Sequence, residues 1–95
     1  MTEKMNGHAS EDSLIQFPCD FTIKIMGKAS GDFEKCAVDI VKKHFPKTTD
    51  EKIQKKFSKD SNYLSLSITV YAQAKMQLDA VYQELSSTKE VLMAL

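Results

Sequence analysis

Residues Asp20–Pro46 read DFTIKIMGKASGDFEKCAVDIVKKHFP, and within this run the spacing of apolar residues changes from every second position to one helical face. Phe21, Ile23 and Ile25 alternate with Thr22, Lys24 and Met26. That is the pattern of a strand over Asp20–Gly27 with one buried face. Lys28 to Gly31 read as a turn, with Ser30 a candidate N-cap and Asp32 and Glu34 suited to the positive end of a helix. Phe33, Cys36, Ala37, Ile40, Val41 and Phe45 then recur at i, i+3, i+4, i+7, i+8 and i+12, a single apolar stripe along a helix. Lys42, Lys43 and His44 fall in its last turn, where cations complement the helix dipole, and Pro46 stops it.

Working outward, Lys47–Glu51 form a polar connection. Lys52–Ser58 predict a weaker strand with Ile53 and Phe57 on one face. Lys55 shares that face, as suits a sheet edge protected against further pairing. After a polar hairpin, Lys59–Asn62, the segment Tyr63–Ala72 alternates strictly. Leu64, Leu66, Ile68, Val70 and Ala72 oppose Tyr63, Ser65, Ser67, Thr69 and Tyr71, as in an antiparallel strand with one wet face. In Gln73–Ser87, Leu78, Val81, Tyr82 and Leu85 give a second amphipathic helix, broken by Ser86, Ser87 and Thr88. Lys89–Leu95 closes the chain as a strand apolar on both faces, Val91/Met93/Leu95 and Leu92/Ala94.

The order β-α-β-β-α-β predicts an α+β fold: a ferredoxin-like two-layer sandwich, with a four-stranded antiparallel sheet and two helices on one face. Residues 14–95 form this single domain. Residues 1–13 are polar and read as a disordered tail, and Leu14, Ile15 and Phe17 make a short apolar hook before Pro18.

The 95-residue length suits one domain. Thirteen basic residues balance thirteen acidic ones, and every basic residue is lysine. Zero net charge provides no general attraction to polyphosphate or to a membrane surface. Absence of arginine removes the bidentate fork that grips phosphates and guanine edges. Cys19 and Cys36 stand far apart with no CxxC, and are expected to be reduced, mostly buried thiols in a cytoplasmic protein. No apolar run reaches the length of a membrane span and no signal-peptide core is present.

The run FPCDFTIKIMG, the helix end KKHFP, the strand NYLSLSITVYA and the tail YQELSSTKEVLMAL resemble the YbeD-like family of small bacterial proteins. The nearest points are the F-P-x-x-F-x-x-K-x-M-G start and the S-x-S-I-T core of the third strand. The likeness covers Leu14–Leu95. It implies a ferredoxin-like fold similar to the ACT regulatory domains. A link to lipoate metabolism has been suggested for the family.

Two surfaces are candidates for function. Gly27, Lys28, Ser30, Gly31 and Asp32 join the first strand to the first helix, and two glycines would let backbone approach a ligand closely. The likeness to ACT domains implies a small amino-acid-like ligand at this loop. On that reading Gly27→Val removes binding and leaves the domain folded, and the bland alternative is a capped tight turn. The second candidate is the open sheet face with the last strand, where Lys24, Met26, Tyr63, Tyr71 and Leu92 would meet a protein partner or a second copy. A solvated face is its bland alternative. RNA-recognition modules share the topology, but Tyr63 and Tyr71 lie about 27 Å apart along a strand, too far for neighbouring bases. Nucleic acid is therefore disfavoured.

Acylphosphatase chemistry requires an arginine in the first loop, and this chain has none. His8, His44, Cys19 and Cys36 do not have metal-ligand spacing, so neither a metal nor another cofactor is expected. The favoured function is a non-enzymatic regulatory or binding module acting through protein or small-metabolite contacts.

Overall fold

The computed structural model describes residues 16–95. The expected tail, 1–13, and Leu14 and Ile15 of the hook lie outside the described residues. The elements are β1 (Cys19–Lys28), α1 (Phe33–His44), a 3-10 turn (Asp50–Lys52), β2 (Ile53–Phe57), β3 (Tyr63–Ala72), α2 (Lys75–Ser86) and β4 (Val91–Ala94).

The four strands form one antiparallel sheet in the order β2-β3-β1-β4. β1 and β3 pair along their whole length, from Cys19↔Ala72 to Lys28↔Tyr63. β1 thus extends past Gly27 to Lys28, because β3 offers it a partner there. The matched alternation of the two strands puts Ile23, Ile25, Leu64, Leu66, Ile68 and Val70 on the helix side, each at most 2% exposed. α1 and α2 cover this side with Phe33, Ala37, Val41, Leu78, Val81 and Leu85. Phe17, of the expected hook, packs against the same core. Fully burying one such Leu, Ile, Val or Phe stabilises by roughly 1.5–3 kcal/mol. An exposed ion pair such as Lys55–Glu34, at 3.1 Å, contributes roughly 0–1 kcal/mol. The apolar layer therefore decides the fold.

Local expectations change in several places. Ser30 does not cap α1; Asp32 is the N-cap residue, without a side-chain hydrogen bond, and its carbonyl accepts the Cys36 N–H at 2.9 Å. Asp50–Lys52 wind into a 3-10 turn rather than a plain connection. α2 starts at Lys75, two residues after the expected Gln73, because Ala74 is extended. The Gln73 N–H donates to Gln77 Oε1 at 2.7 Å. Ser87 and Thr88 end α2 by turning their hydroxyls onto the carbonyls of Gln83 and Glu84, both at 2.9 Å.

β2 and β4 show what one-dimensional patterning misses. Ile53 is half-buried and Phe57 is 53% exposed, since α1 and α2 sit over the central strands and leave β2 at the rim. Lys55 is on the helix side as expected, where it reaches Glu34 of α1. In β4 the register shifts: Met26 pairs with Met93, but Gly27 pairs with Val91, so Leu92 is an extra residue. This bulge overturns the simple two-face reading of the last strand. Val91 and Ala94 both pack against the core, while Met93 and Leu95 line the open face.

Gly27 has a steric role. It is buried, and a Cβ placed on it would clash with the Phe33 ring. The close approach it permits is to this chain's own aromatic residue. The expectation that Gly27→Val leaves the domain folded is corrected accordingly. Gly31 is different: its φ of +84° lies in the left-handed region, with open space around it.

Gly27→Ala is expected to destabilise the domain by roughly 1–3 kcal/mol or more, the range for forced overpacking. Combined with Phe33→Leu, which vacates the ring position, it should cost less than the sum of the two single changes. Urea unfolding of the three variants measures this coupling.

Candidate functional site

The first loop lies beside the β2–β3 hairpin. The Ala29 N–H donates to the Asn62 carbonyl at 2.8 Å. The hairpin itself is organised by Asp60, which accepts from Ser58 Oγ at 2.7 Å, from the Asn62 N–H at 3.1 Å and from Asn62 Nδ2 at 2.9 Å. These bonds, with Ser58 first, hold the Asp60 carboxyl below its ordinary pKa. Lys28, Ser30, Gly31 and Asp32 are exposed and Gly27 is buried. The two grooves described below are not lined by any of these five.

The open sheet face presents Thr22, Lys24 and Met26 of β1 opposite Thr69, Ser67 and Ser65 of β3, with Gln54 and Lys56 of β2 beyond them. Thr22 and Thr69 share a hydroxyl hydrogen bond at 3.0 Å. Towards β4 the face becomes apolar. A groove of about 310 Å³ is lined by Lys24, Met26, Lys56, Met93 and Leu95, with Ser65 and Ser67 on its floor strand. Sequence patterning placed Lys24 and Met26 here, but it missed Met93 and Leu95. Their place on this face follows from the register that pairs Met93 with Met26 and Leu95 with Lys24, which alternation in a strand apolar on both sides does not reveal.

Of the expected contact residues, Tyr63 and Tyr71 lie at opposite ends of β3, opposite Lys28 and Asp20. Neither Tyr63 nor Leu92 lines this groove. Tyr71 lines a second groove, of about 330 Å³, where the end of α1, the 3-10 turn, the end of β3 and the start of α2 converge.

Next to this second groove, His44 and Lys43 of α1 meet Glu84 of α2. His44 Nε2 lies 2.8 Å from Glu84 Oε1, and Lys43 Nζ lies 2.7 Å from Oε2. His44 occupies the dipole position expected from sequence and also ties the two helices together. The hydrogen bonds from Lys43 and His44 lower the Glu84 pKa. On the far side of α2, Tyr82 donates to the Leu95 carbonyl at 2.7 Å and meets Phe21 edge-on at 6.5 Å. Burial pushes its phenol up.

Cys19 and Cys36 are free and half-buried, more accessible than the buried thiols expected. Burial, followed by the charges of Glu90, Asp32 and Asp39, pushes the Cys36 thiol up, away from the thiolate. Among the described residues, no three of His, Cys, Asp and Glu are grouped to hold a metal ion. No helix among them is long and apolar enough to cross a membrane.

This geometry is that of a ferredoxin-like α+β domain. The ACT domain from GTP pyrophosphokinase of Chlorobium tepidum superposes with a TM-score of 0.62 at 18% identity, covering 81% of this chain and 97% of that one. Protein HP0495 from H. pylori superposes with a TM-score of 0.64 at 17% identity, covering 95% and 98%. At such identities the likeness is one of fold.

The sequence comparisons are closer. A UPF0250 protein of Nitrosomonas europaea is 42% identical over 86 residues, covering 90% of this chain and 99% of that one. A UPF0250 protein of Neisseria meningitidis serogroup B is 36% identical over 95 residues, covering both chains fully. The family described as a protein of unknown function (DUF493) matches residues 12–95, and the chain belongs to it. The YbeD-like resemblance of the F-P-x-x-F start and the S-x-S-I-T strand is thereby borne out.

Because the Glu84 pKa is lowered by folding, the unfolded chain takes up its proton first as pH falls. The stabilisation is complete above the ordinary carboxylate pKa of about 4.3 and is lost as pH drops through the lowered folded value. Glu84→Gln is expected to melt below the wild type at neutral pH, with the difference shrinking under acid conditions. Thermal melts taken from neutral pH down to about pH 3 check this.

Proposed function

We propose that the domain is a non-enzymatic binding module of the cytoplasm that docks a protein partner on its open sheet face. The observation that carries this reading is the groove between β1, β3 and β4. Its apolar lining of Met26, Met93 and Leu95 is 39%, 50% and 68% exposed, and Lys24 and Lys56 also line it. A contiguous apolar patch bordered by charge is a common mark of an interaction surface. Exposed methionines can repack against partners of varied shape. The groove lies on the open side of the sheet, with its apolar residues beside Lys24 and Lys56, which favours an extended apolar segment with acidic residues for the two lysines.

A photo-crosslinking residue at Met93 or Lys56 should capture a defined partner in cells, whereas the same residue at exposed Gln83 on α2 should not. Leu95→Asp should remove the crosslink while preserving the fold, since surface changes typically cost within about 0.5 kcal/mol. Equal capture from Gln83, or none from the sheet face, rejects this surface. Sedimentation of the purified domain decides whether the partner is a second copy.

A small-metabolite site at Lys28–Asp32 is the second reading. It is favoured by the start of α1, where no side chain caps the first turn. Amide shifts confined to Lys28–Asp32 on titration with pooled amino acids and small carboxylates would support it. A silent spectrum would remove those metabolites.

A further inference from the structure

The second groove combines features that the open-face reading does not use. Its wall contains Phe45 and Pro46 from the end of α1 and Tyr71 from the end of β3. Tyr71 is 56% exposed, although its neighbours Val70 and Ala72 are buried. Its ring is thus available to a planar partner on the solvent side, where aromatic faces are worth roughly 0.5–1.5 kcal/mol beyond their area.

The polar lining is rich in donors. Lys47 and Lys52 both line the groove. Among the described residues neither has an ion-pair partner, whereas Lys42, Lys43, Lys55 and Lys75 all do. Gln77 uses its side-chain oxygen to accept the Gln73 N–H at 2.7 Å, which leaves its amide NH₂ as a donor. The Thr48 hydroxyl adds another donor to the wall. His44 is already engaged with Glu84 at 2.8 Å.

Asp20 is the one carboxylate in the lining. Two ammonium groups without an ion pair among the described residues, against one carboxylate, and neutral donors around an aromatic wall complement a ligand that is acceptor-rich and flat. The carbonyls at the end of α1 also face this end of the molecule, but Lys42, Lys43 and His44 occupy its last turn and offset them.

We propose that this groove binds a small organic anion carrying a planar ring, with the ring against Tyr71 and the carboxylate or phosphate held by Lys47 and Lys52. The site is at the opposite end of α1 from the Gly27–Asp32 loop and does not depend on the open-face reading. The chain's zero net charge is no obstacle, since the attraction is local to two lysines.

Amide NMR titration of the labelled domain tests the proposal with four probes: adenosine 5′-monophosphate, benzoate, adenosine and inorganic phosphate. Saturable shifts at Thr48, Lys52, Tyr71 and Gln73 are expected with one or both ring-bearing anions. Adenosine and inorganic phosphate, each lacking one half of the recognition, should bind at least about tenfold more weakly. Preference between the two anions assigns phosphate or carboxylate. Lys47→Glu combined with Lys52→Glu should weaken binding by about tenfold or more, while Lys24→Glu on the open face should leave it unchanged. The spectra themselves confirm that each variant is folded. Absence of saturable shifts at about 10 mM of either anion, or equal weakening by Lys24→Glu, would overturn the site.

Discussion

The structure depends on the full-length antiparallel pairing of β1 with β3. Ten residues of each strand are in register, from Cys19↔Ala72 to Lys28↔Tyr63. Because side chains alternate about the pleat, this single register puts Ile23 and Ile25 beside Val70, Ile68, Leu66 and Leu64 on one side. It puts Lys24 and Met26 beside Ser67 and Ser65 on the other. A slip of one residue would exchange the two faces and leave α1 and α2 with nothing apolar to cover. Both helices, both edge strands and both grooves take their positions from that ladder.

The second constraint is the fit of Phe33 over Gly27. The first residue of α1 lies on the last buried position of β1, where only a glycine leaves space for the ring. This contact fixes how closely α1 approaches the sheet where β1 hands over to the helix. It also accounts for one of the two glycines that suggested a ligand loop. Close backbone approach and ligand binding leave the same mark in a sequence, and the neighbour that fills the space distinguishes them.

The two faces of the domain are stabilised differently. The helix side is an apolar core, joined at its rim by polar ties such as His44–Glu84 and the Tyr82 hydroxyl on the Leu95 carbonyl. The open side is a mosaic of hydroxyls and lysines that turns apolar only towards β4. Membership of a family described as a protein of unknown function, together with the fold of ACT domains, defines the scaffold. Chemistry must be sought in the surface residues, since one fold serves many functions.

The amino-acid sequence by itself determined the element order, the buried faces of β1 and β3 and the stripe of α1. Each rests on local periodicity, and the residues Phe21–Ile25, Phe33–Phe45 and Tyr63–Ala72 display it without interruption. Tertiary structure decided what periodicity cannot encode. The pairing of Met93 with Met26 and of Leu95 with Lys24 put both on the open face, the Leu92 bulge returned Val91 to the core, and the seat of the helices over the central strands left Phe57 exposed on the rim. The second groove joins Phe45, Lys52, Tyr71 and Gln77, which no sequence spacing connects. Lys24 and Met26 were legible as open-face residues because alternation reaches them. Ser65, Ser67, Thr69 and Tyr71 were legible in the same way, whereas Met93, Leu95 and the α1, 3-10 and α2 walls of the second groove were not, because a groove is formed by segments that meet only after the chain has folded.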